Sequence, residues 1–299
     1  LRPQHGPVIR WCGIEVSRPW RCGCWGNVAS VLIEKPALGD FLPIVDGGFS
    51  LQYSPLMEYR EGKGMTLFCQ MDVTGRTDGD PAAKRLAANM LQYMAEYQPP
   101  GRRQPVYAGD PVGRSYFEKA GLPMAEYAGG ELTPGQVLIV TPGGSEKLSS
   151  HKESILAWLK AGGHVLAIGL DEREAKAFLP FGVTMENQEY TNAVFDPLPL
   201  ASPLAGIGPA DVLIREPREL PLVAGGASIV GGRVLAAAPD TNVVFCQLAP
   251  WHFDYEKIYN RKITFRRTSF LVTRLLANAG VSTGTPLSRT IRSHPPSGS

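Results

Sequence analysis

The chain has 299 residues, 43% of them apolar and 19% charged, with a net charge of +2. That balance is ordinary for a globular protein and gives no basic footprint for nucleic acid or an anionic membrane surface. No apolar run approaches the roughly 20 residues of a membrane-spanning helix. In chain order, the first 25 residues hold Trp11, Trp20 and Trp25 with Cys12, Cys22 and Cys24. Cys-Gly-Cys is a poor match to zinc-ligand spacing, so no metal and no cofactor are expected, and these side chains are read as loop packing. Neither a charged leader nor an apolar signal core follows Leu1, and the chain is expected to be a fragment of something longer.

Next comes "VLIEKPALGDFLPIVDGG", Val31 to Gly48, and then an apolar run ending in Phe68-Cys69-Gln70. A helix is expected after it: Asp80 suits its N-cap and Pro81 its first turn, and Ala83, Leu86, Ala87, Met90, Leu91 and Met94 keep helical period. "EYQPPGRRQP" is a linker. Beyond it "QPVYAGD" (104–110) reads as a strand, "GRSYFEKAG" as a helix stopped by Gly121, and "QVLIVTPGG" as a strand buried on both faces. "SHKESILAWLKAGG" has a capping-box pattern, Ser150 with Glu153, an apolar stripe and a stop at Gly162. "HVLAIG" is another buried strand. Alternation is expected to continue to a second Phe245-Cys246-Gln247 strand and a last helix, giving an open α/β sheet, mostly parallel, with helices on both faces. The tail after Val281, rich in Ser, Thr and Pro, is expected to be disordered.

The two Phe-Cys-Gln runs belong to an internal repeat. The offset is 181 at Pro36/Pro217, 178 at Val45/Val223, 177 at Phe68/Phe245 and 189 at Arg85/Arg274. Block order is kept, as in divergent copies. The reading is therefore a partial first copy over 1–98, a linker at 99–103, a complete second copy over 104–281 and a tail at 282–299.

The stretch Trp25 to Tyr97, which opens "WGNVASVLIEKPALGDFLPIVDGGFSLQYSPLMEYREGKGMTLFCQMDVTGRTDGDPAAKRL", resembles the non-catalytic α/β regions of large glycoside hydrolases of the family 2 and β-galactosidase type. Gln104 to Val281 is similar more loosely, through "GGHVLAIG" and the order of elements. Such regions, like the trimerisation domains of some β-galactosidases, are similar to the class I glutamine amidotransferase fold. The resemblance implies that fold, a flavodoxin-like order in each copy, and a catalytic β/α barrel elsewhere in the same polypeptide as partner. A secreted or periplasmic setting would follow; the residues themselves leave the compartment open. A second copy of the chain and a saccharide are the other partners it allows.

Active amidotransferases carry a Cys on a tight strand-to-helix turn and a His-x-Glu pair after a later strand. Here the turn after "HVLAIG" holds Leu170, Asp171 and Glu172, with no attacking atom; the later strand ends in Trp251-His252-Phe253-Asp254. A base without a nucleophile makes no acyl-transfer site. Cys69 and Cys246 lie in apolar strands and are expected to be buried and inert. "TPGGSEK" lacks phosphate-loop spacing. No catalytic residue is assigned. The candidate ligand-binding residues are Asp72, Arg76, Ser145, Asp171, Trp251 and His252, at expected carboxyl ends of strands, where open α/β sheets gather ligands. Packing for Trp251 and His252, and a turn-pinning salt bridge for Asp72 with Arg76, are the plainer readings beside it. The function expected is non-catalytic scaffolding within a glycoside hydrolase. The alternative is an independent amidase or hydrolase with a site near His252 and Asp254.

Overall fold

The computed structural model describes residues 8–11, 14–17, 29, 32–238, 240–253 and 259–281. The chain divides into two compact units. One takes the residues up to Lys35 and Phe41–Pro100; the other takes Pro36–Asp40 and everything from Gly101 onward. Cys12, Cys22, Cys24, Trp20, Trp25, Asp254 and the Ser/Thr/Pro tail lie outside the described residues, and so does the side chain of Trp11.

The first unit is antiparallel throughout its described sheets. β1 (Val8–Trp11) and β2 (Ile14–Ser17) form a hairpin. β3 (Ile33–Glu34), β4 (Phe41–Gly47), β5 (Tyr53–Glu61) and β6 (Gly64–Cys69) form a second sheet around β5. Gly62 opens the two-residue β5–β6 loop at φ 62, the left-handed conformation that hairpin loops favour there. α1 (Pro81–Ala95) starts as expected: the Asp80 carboxylate accepts the amides of Ala82 and Ala83. Its apolar stripe is only partly covered, since Leu91 is 71% and Met94 45% exposed. Helical period marks which residues share a face; it cannot say that something lies against that face. Tyr93 of α1 donates to the buried Glu58 of β5, which Arg60 also engages.

The second unit is a mixed α/β unit built on a seven-stranded sheet. In chain order it contains β7 (Gln104–Ala108), α2 (Pro111–Lys119), β8 (Ala125–Glu126), β9 (Gln136–Val140), α3 (Ser145–Ser149), α4 (Lys152–Lys160), β10 (His164–Ile168), α5 (Glu172–Phe178), β11 (Thr184–Tyr190), β12 (Arg218–Gly225), β13 (Ser228–Val230), β14 (Leu235–Ala237), β15 (Val243–Cys246) and α6 (Tyr259–Asn278). The strand order is β13-β14-β15-β10-β9-β7-β8. β15, β10, β9, β7 and β8 run parallel, and β13 and β14 extend the sheet antiparallel. The sheet is thus mostly parallel and flanked by helices, as the buried runs imply. The strict strand-helix alternation does not continue past α5. An antiparallel ribbon, β11 with β12, and the β13–β14 hairpin intervene before the second Phe-Cys-Gln strand. Short antiparallel strands can follow one another through tight turns, whereas parallel neighbours require a crossover.

Strand pleating sorts the core into two faces. Ile139, Ile168 and Cys246 pack with Phe117 of α2 and Leu271 and Leu275 of α6. Leu138, Val140, Ala167 and Phe245 pack with Leu148, Ile155 and Phe178 of α3, α4 and α5. No helix among the described residues is long and apolar enough to cross a membrane.

The Phe-Cys-Gln segments share a register. Leu56 pairs with Cys69 and Met57 with Phe68; Leu235 pairs with Cys246 and Ala236 with Phe245. The Gln70 amide donates to Pro55 O at 2.8 Å, and the Gln247 amide to Val234 O at 2.8 Å. Each thiol points to the carbonyl two residues on, Cys69 to Met71 and Cys246 to Leu248. Their surroundings differ. Cys246 is fully buried, and burial raises its thiol pKa to about 12. Cys69 ends its strand half-buried, against the expectation of a buried position: β5 pairs with it on one side, and past the strand's end Met71 bridges Ala29.

Ser150 does not cap a helix. It stands in the right-handed helical region (φ −73, ψ −9), between α3 and α4, with its hydroxyl on His151 Nδ1 at 3.2 Å. An N-cap needs extended backbone, and the turn of α3 just before it removes that option. The helix stops at Gly121 (φ 77) and Gly162 (φ 95) form as read.

Candidate functional site

Asp72 and Arg76 belong to the first unit, and Ser145, Asp171, Trp251 and His252 to the second. Asp72 and Arg76 form an ion pair, Nη2 to Oδ2 at 2.7 Å and Nε to Oδ2 at 2.9 Å, in the turn leading to α1. Arg76 is buried, and its carbonyl accepts the amides of Gly79 and Asp80, so the pair braces the α1 cap. The turn-pinning reading accounts for both residues.

The other four stand where the parallel strands β7, β9, β10 and β15 end. Tyr107 of β7 is buried; its hydroxyl shares a 2.6 Å hydrogen bond with Thr141 Oγ1 and donates to the Asp110 carbonyl at 2.8 Å. Desolvation raises its phenol pKa to about 12, so it stays protonated. Two glycines let these strand ends close on each other. A Cβ on Gly109 would lie 1.8 Å from Thr141 Oγ1, and one on Gly144 2.2 Å from the Ala108 carbonyl oxygen. Asp110 caps α2 by accepting the Gly113 amide at 2.7 Å.

In the Gly-rich turn after β9 both glycine amides are already taken, that of Gly144 by the Thr141 carbonyl at 3.0 Å. The Gly143 amide donates to Glu174 Oε1 at 2.8 Å. The other oxygen of that carboxylate accepts the Asp171 amide at 3.2 Å, while Asp171 Oδ1 accepts the Glu174 amide at 2.7 Å. This reciprocal capping box opens α5, and it puts negative charge where a phosphate would sit. Ser145, the first residue of the five-residue α3, is buried.

The turn between β10 and α5 reads Gly169-Leu170-Asp171. Gly169 has φ 68 and donates its amide to the Cys246 carbonyl at 2.8 Å; the nearest atom to an added Cβ would be Ala249 Cβ at 3.8 Å. Leu170 is 1% exposed. The left-handed position of the turn is therefore a residue without a side chain, followed by a buried hydrocarbon.

After β15 the chain makes a short 3-10 turn, Pro250–His252. Trp251 packs against Tyr116 (ring centroids 5.5 Å apart) and Phe117 (5.8 Å), which is the packing reading of this residue. His252 is exposed, and its ring makes no hydrogen bond among the described residues. Its pKa lies below the usual histidine value: the surrounding protein lowers it most, Arg218 lowers it further and Asp110 pulls it back. Arg218 lies over the Phe253 ring, 4.6 Å from its centroid.

Four of the six predicted residues thus share the carboxyl end of one parallel sheet. Asp110, Glu174 and Arg218 stand among them and were missed. The Asp171-x-x-Glu174 spacing, itself a capping box, was the available signal for Glu174. Arg218 had none, because it reaches the site from the ribbon strand β12.

No protein-family model and no curated protein matches this chain. One similar solved structure is that of a proposed GMP synthase subunit protein from Thermoplasma acidophilum. It aligns with 64% of this chain and 99% of its own length at 11% identity, with a TM-score of 0.37.

Proposed function

We propose that this chain is a non-catalytic accessory region of a larger glycoside hydrolase, serving as a scaffold for domain or subunit contacts. The resemblance of Trp25 to Tyr97 to such regions supports the hydrolase context. One observation carries the non-catalytic part: the turn after β10 offers Gly169, then buried Leu170, then an Asp171 engaged in capping. Acyl transfer needs an attacking atom on an exposed turn with an oriented base beside it. The nearest strand thiol, Cys246, has its pKa raised to about 12 by burial and cannot supply a thiolate near neutrality. A saccharide would meet Trp251 only where Tyr116 and Phe117 leave its ring uncovered, so sugar binding holds a minor place in this role.

The test has two parts. The purified chain, incubated with aryl-glycosides and separately with glutamine and simple amides, should release no product above buffer. Turnover that His252→Ala abolishes would instead support the amidase or hydrolase alternative. The context is tested by the encoding gene: an in-frame β/α barrel is expected, and a reading frame without one would remove the glycoside hydrolase assignment.

A further inference from the structure

We propose that Met185 is an oxidation site, and that its sulfoxide latches the β11–β12 ribbon to the parallel sheet through the side-chain amide of Gln247. The proposal rests on the second unit alone and is independent of the glycoside hydrolase reading.

Gln247 follows β15 and is 1% exposed. Its backbone is fixed, because its amide donates to Val234 O at 2.8 Å. Its side chain is poorly matched. Nε2 donates to Met185 Sδ at 3.4 Å, and Oε1 has no hydrogen-bond partner among the described residues. A thioether is a weak acceptor, and an amide sealed from water normally finds a strong one. Nothing holds Oε1, so the amide can turn toward whatever acceptor Nε2 is offered.

Met185 stands on the other side of that contact. It is the second residue of β11, and its backbone amide donates to Glu172 Oε2 at 2.8 Å. Its side chain is only partly buried, at the margin of the core that holds Phe178, Val223 and Phe245, which leaves it within reach of a small oxidant. The sequence has seven methionines, and among the described residues Met185 is the one whose sulfur accepts a hydrogen bond.

Hydrogen peroxide, the class of oxidant this step needs, delivers one oxygen atom to Sδ and leaves as water. The peroxide O–O bond breaks, an S–O bond forms, and sulfur supplies the electron pair. In most cores a sulfoxide disrupts packing, because it buries a polar oxygen that meets no donor. Here the donor is already in place. The sulfur must draw back by about 1 Å for its oxygen to sit at ordinary hydrogen-bond length from Nε2. An unbranched side chain at the margin of a core can make that shift. A weak N–H···S contact then becomes N–H···O=S, and the ribbon is tied more firmly to the strand end that carries Gln247. β12 of the same ribbon carries Arg218, so the latch also steadies the guanidinium over Phe253.

The test uses the intact chain before and after treatment with hydrogen peroxide, with peptide mass spectrometry to locate the sulfoxides. Met185 should be oxidised under conditions that leave the buried Met57 reduced. Deuterium exchange at the slow amides of β11 should then fall by about threefold. Met185→Leu, treated alike, carries every other sulfoxide and should show no slowing. Gln247→Leu removes the donor, so oxidation of Met185 should speed exchange instead. Should Gln247→Leu fail to fold, the comparison with Met185→Leu decides by itself. Met185 still reduced once the exposed Met94 is fully converted, unchanged or faster exchange in the oxidised chain, or equal slowing in either variant would each overturn the proposal.

Discussion

Arg274 is 1% exposed and bonds Asp40 Oδ1 through Nη1 at 2.9 Å, while its Nε donates to Asn278 at 3.0 Å. Asn278 in turn donates to the carbonyls of Pro203 and Ala205. Removing one partner of a buried pair leaves an uncompensated charge, which typically costs about 3–5 kcal/mol. Asp40→Ala should therefore lower the urea midpoint of the second unit by a corresponding amount, and Asp40→Asn, which keeps an acceptor, should lower it less. His164 offers a second test. Desolvation, with Arg103 nearby, lowers its pKa to about 4. The unfolded chain then binds the extra proton between about pH 6.5 and 4, so stability is complete above the unfolded pKa and falls as pH drops through that window. The loss should be about 1–2 kcal/mol after allowance for the ring's partial contact with water. Denaturant titrations at pH 7 and pH 4 should show it, and His164→Gln should flatten that part of the profile.

Turns and caps decide the site at the scale of elements. Gly144→Ala would drive a Cβ to 2.2 Å from the Ala108 carbonyl, a backbone atom that cannot move aside. A loss of about 1–3 kcal/mol is expected from such overpacking, with the Tyr107–Thr141 contact disturbed. Gly143→Ala meets nothing within 4 Å and pays only for φ 80, about 1–2 kcal/mol. Thermal unfolding of the two variants should rank them in that order. Asp171→Ala should cost about 1 kcal/mol by opening the capping box, because the Glu174 backbone amide loses its Oδ1 acceptor while the backbone amide of residue 171 still bonds Glu174 Oε2. The Asp80 cap and the Gly162 stop were legible because each depends on residues within one helical turn. The Ser150 cap was misread because the preceding residues already formed a helical turn of their own, which no local pattern announces. Antiparallel β13 and β14 were missed for a related reason: short strands at hairpin spacing carry too few residues to show a period.

At the scale of the molecule, the second unit is not one stretch of sequence. Pro36–Asp40 belongs to it, with Ala37 O accepting Thr273 Oγ1 at 3.1 Å and Asp40 pairing with Arg274. A fragment of Gly101 to Val281 lacks both contacts. Its urea midpoint should fall below that of the second unit in the intact chain by about as much as in Asp40→Ala, with a similar slope. The order of residues was enough to specify the buried runs Gln136–Val140 and His164–Ile168, hence a parallel sheet, because continuous apolar strands can only be covered on both faces. It was also enough for the recurrence of Phe-Cys-Gln and the missing attacking atom after β10. Folding in three dimensions was needed to seal Cys246 behind β10 while Cys69 stays half-buried at the end of β6. The same holds for the Gly143 amide held by Glu174 and for Asp40 answering Arg274. Local pattern follows from steric preferences within a few residues; neighbours 31 or 234 positions apart meet only when the sheet order has been set.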